Sequence, residues 1–293
     1  MKNKMNSVYL PKFENPITQW RTHLVFIPIL LISFVACYHD VLAWMYNRYI
    51  SPESYYSHGF MIPFVSGYFI WQKREKLSKE SAEKSWWGFS LIILSVLVHI
   101  AGTVLYVYSV SGFSIFLFIF GVTLFLFGKN ITRLILFPLI YLILMFPPPM
   151  AFIEAISFPM KMFVAKSGVE FVRLLGIPIV REGFHIHIPA GSLLVGNPCS
   201  GLRSLIAFVA VGTLFSYLSN LSIIKKFLLS FLSIPVAILS NVIRTSILIL
   251  ISNFWGLSAA APDSFWHSAS GILVFIFGVA GLFYIGRFLE WGT

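Results

Sequence analysis

The sequence predicts an all-α membrane protein of about eight transmembrane helices, with both termini cytoplasmic and with an outer interfacial helix and a short β-hairpin before the sixth span. Three observations carry this expectation. Of 293 residues, 58% are apolar and only 11% are charged, against about 25% charged in a soluble domain. Apolar runs recur at or near the ~20 residues that a helix needs to cross a ~30 Å hydrocarbon core. Lysine and arginine gather in alternate connections, as the positive-inside rule requires.

Uninterrupted apolar stretches place the spans at 22–39, 56–72, 86–106, 111–128, 132–148, 199–219, 227–252 and 266–288. With a cytoplasmic N-terminus, one side of the membrane receives Lys2, Lys4, Lys12, Arg21, Lys73, Arg74, Lys76, Lys79, Lys84, Lys129, Arg133, Lys225, Lys226 and Arg287. The other side receives Arg48, Lys161, Lys166, Arg173 and Arg181, and all but the first lie in one long segment where the rule weakens. Arg203 and Arg244 fall inside spans. The net charge of +10 thereby finds its use in holding loops on the cytoplasmic side, and no nucleic-acid partner is expected. The organisation is one integral-membrane domain, 1–293, with a basic tail at 1–21. The run Phe34-Val35-Ala36-Cys37 faintly matches a lipoprotein cleavage box, but Phe34 suits its first position poorly and the orientation works with the span retained.

The extracytoplasmic segment 149–198 is neither span nor turn. Over 150–175, Glu154, Ser157, Lys161, Glu170 and Arg173 recur at near-helical spacing among apolar residues, which predicts a helix in the outer interface with Pro159 as the expected bend. Over 179–195 the period changes to two, with Phe184, Ile186 and Ile188 alternating with His185 and His187. Glu182-Gly183 supplies a turn, so a short hairpin is expected.

The stretch Asn197-Pro198-Cys199-Ser200-Gly201-Leu202-Arg203-Ser204 reads as the start of the sixth span. Asn197 suits an N-cap and Pro198 the first helical position, which puts Cys199 in a first turn whose free N–H groups favour the thiolate. Gly201 keeps one side open, and Arg203 shares the cysteine's face. A small apolar residue at a helix start is the ordinary alternative for such a cysteine. Arg244, in Asn241-Val242-Ile243-Arg244, lies roughly eight residues from the span's outer end, ~12 Å below the surface. Snorkelling from that depth is strained, so a polar functional site is expected, with Asn241 one turn earlier on the same face. His267, in Asp263-Ser264-Phe265-Trp266-His267, opens the eighth span from the same side, with Gly271 one turn on. Cys199, Arg244 and His267 thus belong to three spans whose charge-derived topology places them in one half of the membrane. A nucleophile, a base and a fixed cation are the parts of acyl transfer through a thioester.

Other candidates are weaker. His58, in Tyr56-Ser57-His58-Gly59-Phe60, starts the second span and suits a substrate contact or simply a helix start. His185 and His187 share a strand face, but no third ligand accompanies them, so no metal is expected. Cys37 and Cys199 are the only cysteines and belong to distant spans, which argues against a thiol oxidoreductase. No carboxylate pair lies within a span, so aspartyl chemistry is excluded, and no cofactor is called for.

In this order and spacing, Tyr56-Ser57-His58-Gly59-Phe60, Arg181-Glu182-Gly183, Cys199-Ser200-Gly201-Leu202-Arg203-Ser204, Asn241-Val242-Ile243-Arg244 and His267 with Gly271 resemble the exosortase and archaeosortase family of integral-membrane cysteine transpeptidases, on the exosortase side. The resemblance implies substrates that are exported proteins with a C-terminal tail of the PEP-CTERM kind: a short motif, a transmembrane helix and a basic cluster. It implies that Cys199 forms an acyl-thioester, that Arg244 stabilises the oxyanion or assists the leaving group, and that His267 exchanges the proton. Arg203, Asn241, His58, Ser200 and Gly201 take supporting or substrate-binding places. The expected location is the cytoplasmic (inner) membrane, with the site on the outer side by the charge-derived topology; a tail that contains a transmembrane helix cannot pass cheaply through water, so it is expected to arrive sideways through the lipid. The competing function is a non-enzymatic transporter or scaffold for envelope polysaccharide or lipid, in which Arg203 and Arg244 bind an anion.

Overall fold

A computed structural model describes residues 16–51, 54–194 and 201–291. Helix α1 runs over Pro16–Ile50, passing from a unit formed by Met1–Ala43 into a second formed by Trp44–Thr293. In the first unit, exposed His39 and Asp40 make a 3.0 Å contact.

After α1 come a 3-10 turn at Ser57–Phe60, α2 (Met61–Gln72), the single turn α3 (Arg74–Leu77), α4 (Trp86–Val104) and α5 (Tyr108–Leu134). Then follow α6 (Leu136–Tyr141), a 3-10 turn at Leu142–Met145, and α7 (Met150–Leu174). Strands β1 (Val180–Glu182), β2 (His185–Ile188) and β3 (Gly191–Leu194) lead to α8 (Leu202–Leu218), α9 (Ile223–Trp255) and α10 (Phe265–Trp291). The chain is an all-α membrane protein with one small sheet. Among the described residues, α4, α5, α9 and α10 are long and apolar enough to cross a bilayer; α6 with its 3-10 turn and α7, bent by 81°, are together apolar enough for one broken span or a re-entrant loop, which makes four spans or five.

Several expected spans take other forms. The stretch 56–72 becomes a 3-10 turn and a 12-residue helix, about 18 Å long at 1.5 Å per residue, short of the hydrocarbon core. Helix α5 extends to Leu134 through Gly128, whose φ of 77° and ψ of −175° interrupt the helix. The span expected at 132–148 therefore survives only as α6 and a 3-10 turn, and Pro147-Pro148-Pro149 stops it from continuing. Helix α7 is continuous through Pro159. The expected hairpin gains a strand, giving an antiparallel meander in the order β1-β2-β3. Gly183, at φ 62°, makes the first turn.

Small residues let these helices approach, as lipid-embedded helices require when burial alone cannot drive association. Gly88 of α4 lies so close to α5 that a β-carbon there would sit 2.6 Å from the Gly121 carbonyl oxygen and the Phe125 Cα. His99 Nδ1 and Ser111 Oγ join the same pair of helices at 2.6 Å. In α8, α9 and α10, Phe208, Ala237 and Leu282 form a fully buried core, and the Phe208 ring rests against Gly278. Helix α7 packs on α9 through Gly168, 3.4 Å from Thr245 Cγ2 and 3.5 Å from Ser246 Oγ as judged by a β-carbon at that position. The sheet joins this wall: Ile186 and Ile188 pack with Val169, Val172 and Ile249.

Gly88→Leu should separate α4 from α5 and lower stability by about 1–3 kcal/mol, read as a fall in the thermal midpoint of the detergent-solubilised protein. Gly67→Ala, with open space around it, should leave that midpoint unchanged or raise it slightly.

Candidate functional site

The core of α8, α9 and α10 places the site residues by simple helical arithmetic. Gly201 precedes Phe208, Arg244 follows Ala237 and Gly271 precedes Gly278 by the same interval, about two turns. Helix α9 runs opposite to the other two along this core, so all three intervals lead to the same level.

At that level Gly201 is the N-cap of α8, with φ 77°. A β-carbon at Gly201 would lie 2.6 Å from Asn241 Cγ and 3.0 Å from Asn241 Cβ. Glycine is thus required twice, by the left-handed backbone and by the close approach. Asn241 is only 2% exposed, and Arg244, one turn further along α9, shares its face. The guanidinium crosses to α10, where a β-carbon at Gly271 would sit 3.3 Å from its Cζ and Nη2. It is close enough to His267, one turn earlier on α10, for its charge to act on that imidazole.

His267 is buried and held on three sides. Its ring Nδ1 lies 3.1 Å from the Ala260 carbonyl oxygen. Because a carbonyl only accepts, the Nδ1 carries the hydrogen and the neutral ring leaves Nε2 bare, the tautomer that can take a proton. The His267 backbone N–H donates to Ser264 Oγ at 3.1 Å, and Ser264 Oγ–H donates to the Ala259 carbonyl at 2.6 Å. Ser270 Oγ–H donates to the His267 carbonyl at 2.9 Å.

The structure thus brings together Gly201, Asn241, Arg244, Gly271 and His267. Arg203, expected beside them, is an exposed residue of the first turn of α8. His58 sits in the 3-10 turn, stacked on Tyr56 at 5.7 Å, bonded to the Leu144 backbone and with its Nε2 buried and unpartnered. Cys199 and Ser200, with Asn197 and Pro198, lie outside the described residues. The helix expected to start at Pro198 begins at Leu202 instead, because the left-handed Gly201 cannot be a residue of an α-helix. Among the described residues no group of three His, Cys, Asp or Glu could hold a metal; His187 faces Glu182 at 3.6 Å.

Ser264 is the residue whose part was not anticipated. Its place just before α10, three residues ahead of His267, is an N-cap signature.

The family model for transmembrane exosortases matches residues 46–284. The chain belongs to that family. The match takes in α2 to α9 and most of α10, so every residue of the exosortase constellation described above falls inside it. Comparisons with curated proteins and with solved structures return no match.

Ser264→Ala removes the cap that orients the first turn of α10. It should cost about 1 kcal/mol in thermal stability, whereas nitrogen-15 spectra of ring-labelled wild-type protein should show the His267 hydrogen on Nδ1.

Proposed function

We propose that this exosortase is a membrane-embedded cysteine transpeptidase or protease that cleaves C-terminal sorting tails of exported proteins, of the PEP-CTERM kind, through an acyl-thioester on Cys199. The observation that carries the reading is the contact of the Arg244 guanidinium with Gly271 beside His267, while Asn241, one turn from Arg244, holds Gly201. Cys199 is two residues before Gly201, and two residues span at most ~7 Å. The cysteine is therefore tethered to a point already seated on the Arg244 helix.

In this reaction the Cys199 thiol loses its proton to His267 Nε2, and the sulfur attacks the scissile carbonyl. Arg244 offers fixed N–H donors to the oxygen as it gains negative charge, in a site from which lipid and packed helices exclude bulk water. The imidazolium then returns its proton to the leaving amine. The Ala260 carbonyl favours both states, since it accepts from Nδ1–H throughout and keeps the ring from turning. An acceptor nucleophile or water releases the acyl group.

The charge asymmetry supports a cytoplasmic-membrane location with N- and C-termini inside and the site at the extracytoplasmic side. A substrate tail with its own transmembrane helix reaches such a site through the lipid, since its apolar length cannot pass cheaply through water.

Co-expression with a secreted reporter bearing such a tail tests the proposal, with cleavage read by the reporter's change in mass. Cys199→Ala and Cys199→Ser should abolish cleavage, and an anion transporter would tolerate both. Arg244→Lys should lower it by at least about 100-fold, because a point charge replaces the planar fork. Arg203→Lys should leave partial cleavage.

Gly271→Val should also abolish turnover by displacing the guanidinium, whereas Gly281→Ala on the same helix, with nothing within 4 Å, should retain it. If the Cys199→Ser protein still cleaves, or if Gly271→Val is fully active, the mechanism is wrong.

A further inference from the structure

Away from Arg244 and His267, one face of α7 and the C-terminal end of α1 enclose a cavity of about 430 Å³. Glu154, Ser157 and Lys161 line it from α7 at successive turns, and Trp44 and Arg48 do the same from α1, with Ser51 just past its end. Ser157 is 3% exposed, and its Oγ is buried with no hydrogen-bond partner. An orphaned hydroxyl in a chamber that holds two cations and one carboxylate costs free energy unless something occupies it. The Arg48 guanidinium also lies 5.7 Å from the Trp44 ring, which keeps its head at the chamber wall.

Tyr56, Pro147 and Pro148 line this chamber and also a second, apolar groove of about 400 Å³. That groove runs past Val110, Phe113 and Phe146 to Ile206 of α8. A cationic chamber that shares a wall with an apolar groove matches an amphiphile with an anionic head and a hydrocarbon chain.

We propose that this pair of cavities is a binding site for an anionic membrane phospholipid whose head carries its net charge on a phosphate. The phosphate lies in the chamber, where Arg48 and Lys161 neutralise it and Ser157 Oγ–H donates to it; an acyl chain lies in the groove. The two cations give charge-assisted hydrogen bonds to the phosphate, and Tyr56, Pro147 and Pro148 mark the level where head gives way to chain. Glu154 opposes the anion and limits affinity. This site is distinct from the Arg244–His267 constellation and stands whether or not the transpeptidase reading holds.

The test uses the full chain in detergent with fluorescent phosphatidylglycerol as probe. Phosphatidylcholine and inorganic phosphate serve as competitors. The wild type should prefer phosphatidylglycerol, and Arg48→Gln combined with Lys161→Gln should weaken its binding by about tenfold. Ser157→Ala should weaken it several-fold, and Val110→Trp, which fills the groove, should weaken the lipid as well. Glu154→Gln should tighten binding several-fold, a gain that a misfolded variant cannot produce. If phosphatidylcholine competes equally, if the double variant binds as the wild type does, or if Glu154→Gln weakens binding, the proposal is overturned. Competition by inorganic phosphate as strong as by unlabelled phosphatidylglycerol would also overturn it, since the chamber alone would then account for binding.

Discussion

Arg244 cannot shed its proton, and it sits within a 33-residue helix whose other side chains within a turn of it are apolar or hydroxyl-bearing apart from Asn241. A guanidinium in that position needs polar company and room for its plane. Gly271 supplies the room by presenting bare backbone, and Asn241 supplies an amide on the same helix face. His267 is the neighbouring titratable ring. The close approach of α9 to α10 at this level follows from accommodating one charge, and the approach of α8 follows from seating Gly201 on Asn241.

That arrangement holds only if three helices keep register, and the register is set two turns away by a dry contact. Phe208 enters the gap left by Gly278, beside Ala237 and Leu282. In lipid the association gains little from burying apolar surface, so it depends on close van der Waals fit between small and large residues. A single β-carbon at Gly278 would lie 2.7 Å from Phe208 Cε1 and from Ser240 Oγ, and the polar site would move with it. Packing and chemistry are thus separate layers of the same three helices, linked by rigid helical geometry.

The remaining elements complete the surroundings. Helix α7 closes on α9 at Thr245 and Ser246, the two residues that follow Arg244. The β-meander covers the far end of that contact with Ile186 and Ile188, so the irregular backbone of the strands and turns is braced by protein. The opposite part of α7 faces the cationic chamber beneath Tyr56. One helix therefore contributes to two polar environments of different character.

Much of this was legible in the sequence. The membrane class followed from composition, and α4, α8, α9 and α10 lie within a few residues of where apolar runs placed them, because length and hydropathy are local properties. Arg244 and His267 could be singled out because a charge or an imidazole in an apolar run is anomalous wherever it packs, and Asn241 because it lies one turn from Arg244 on the same face. The failures have a common cause. The stretches 56–72 and 132–148 are as apolar as spans, yet one forms a 3-10 turn and a short helix and the other a broken helix that three prolines stop. Hydropathy reports how much lipid or protein a segment tolerates, not which of the two surrounds it. The start of α8 at Leu202 was likewise decided in three dimensions, since Gly201 is pressed against a side chain 40 positions further along the chain. The sequence determined which residues have chemistry to offer. Tertiary structure decided which of them meet, because contact between three helices depends on crossing points that no single helix encodes.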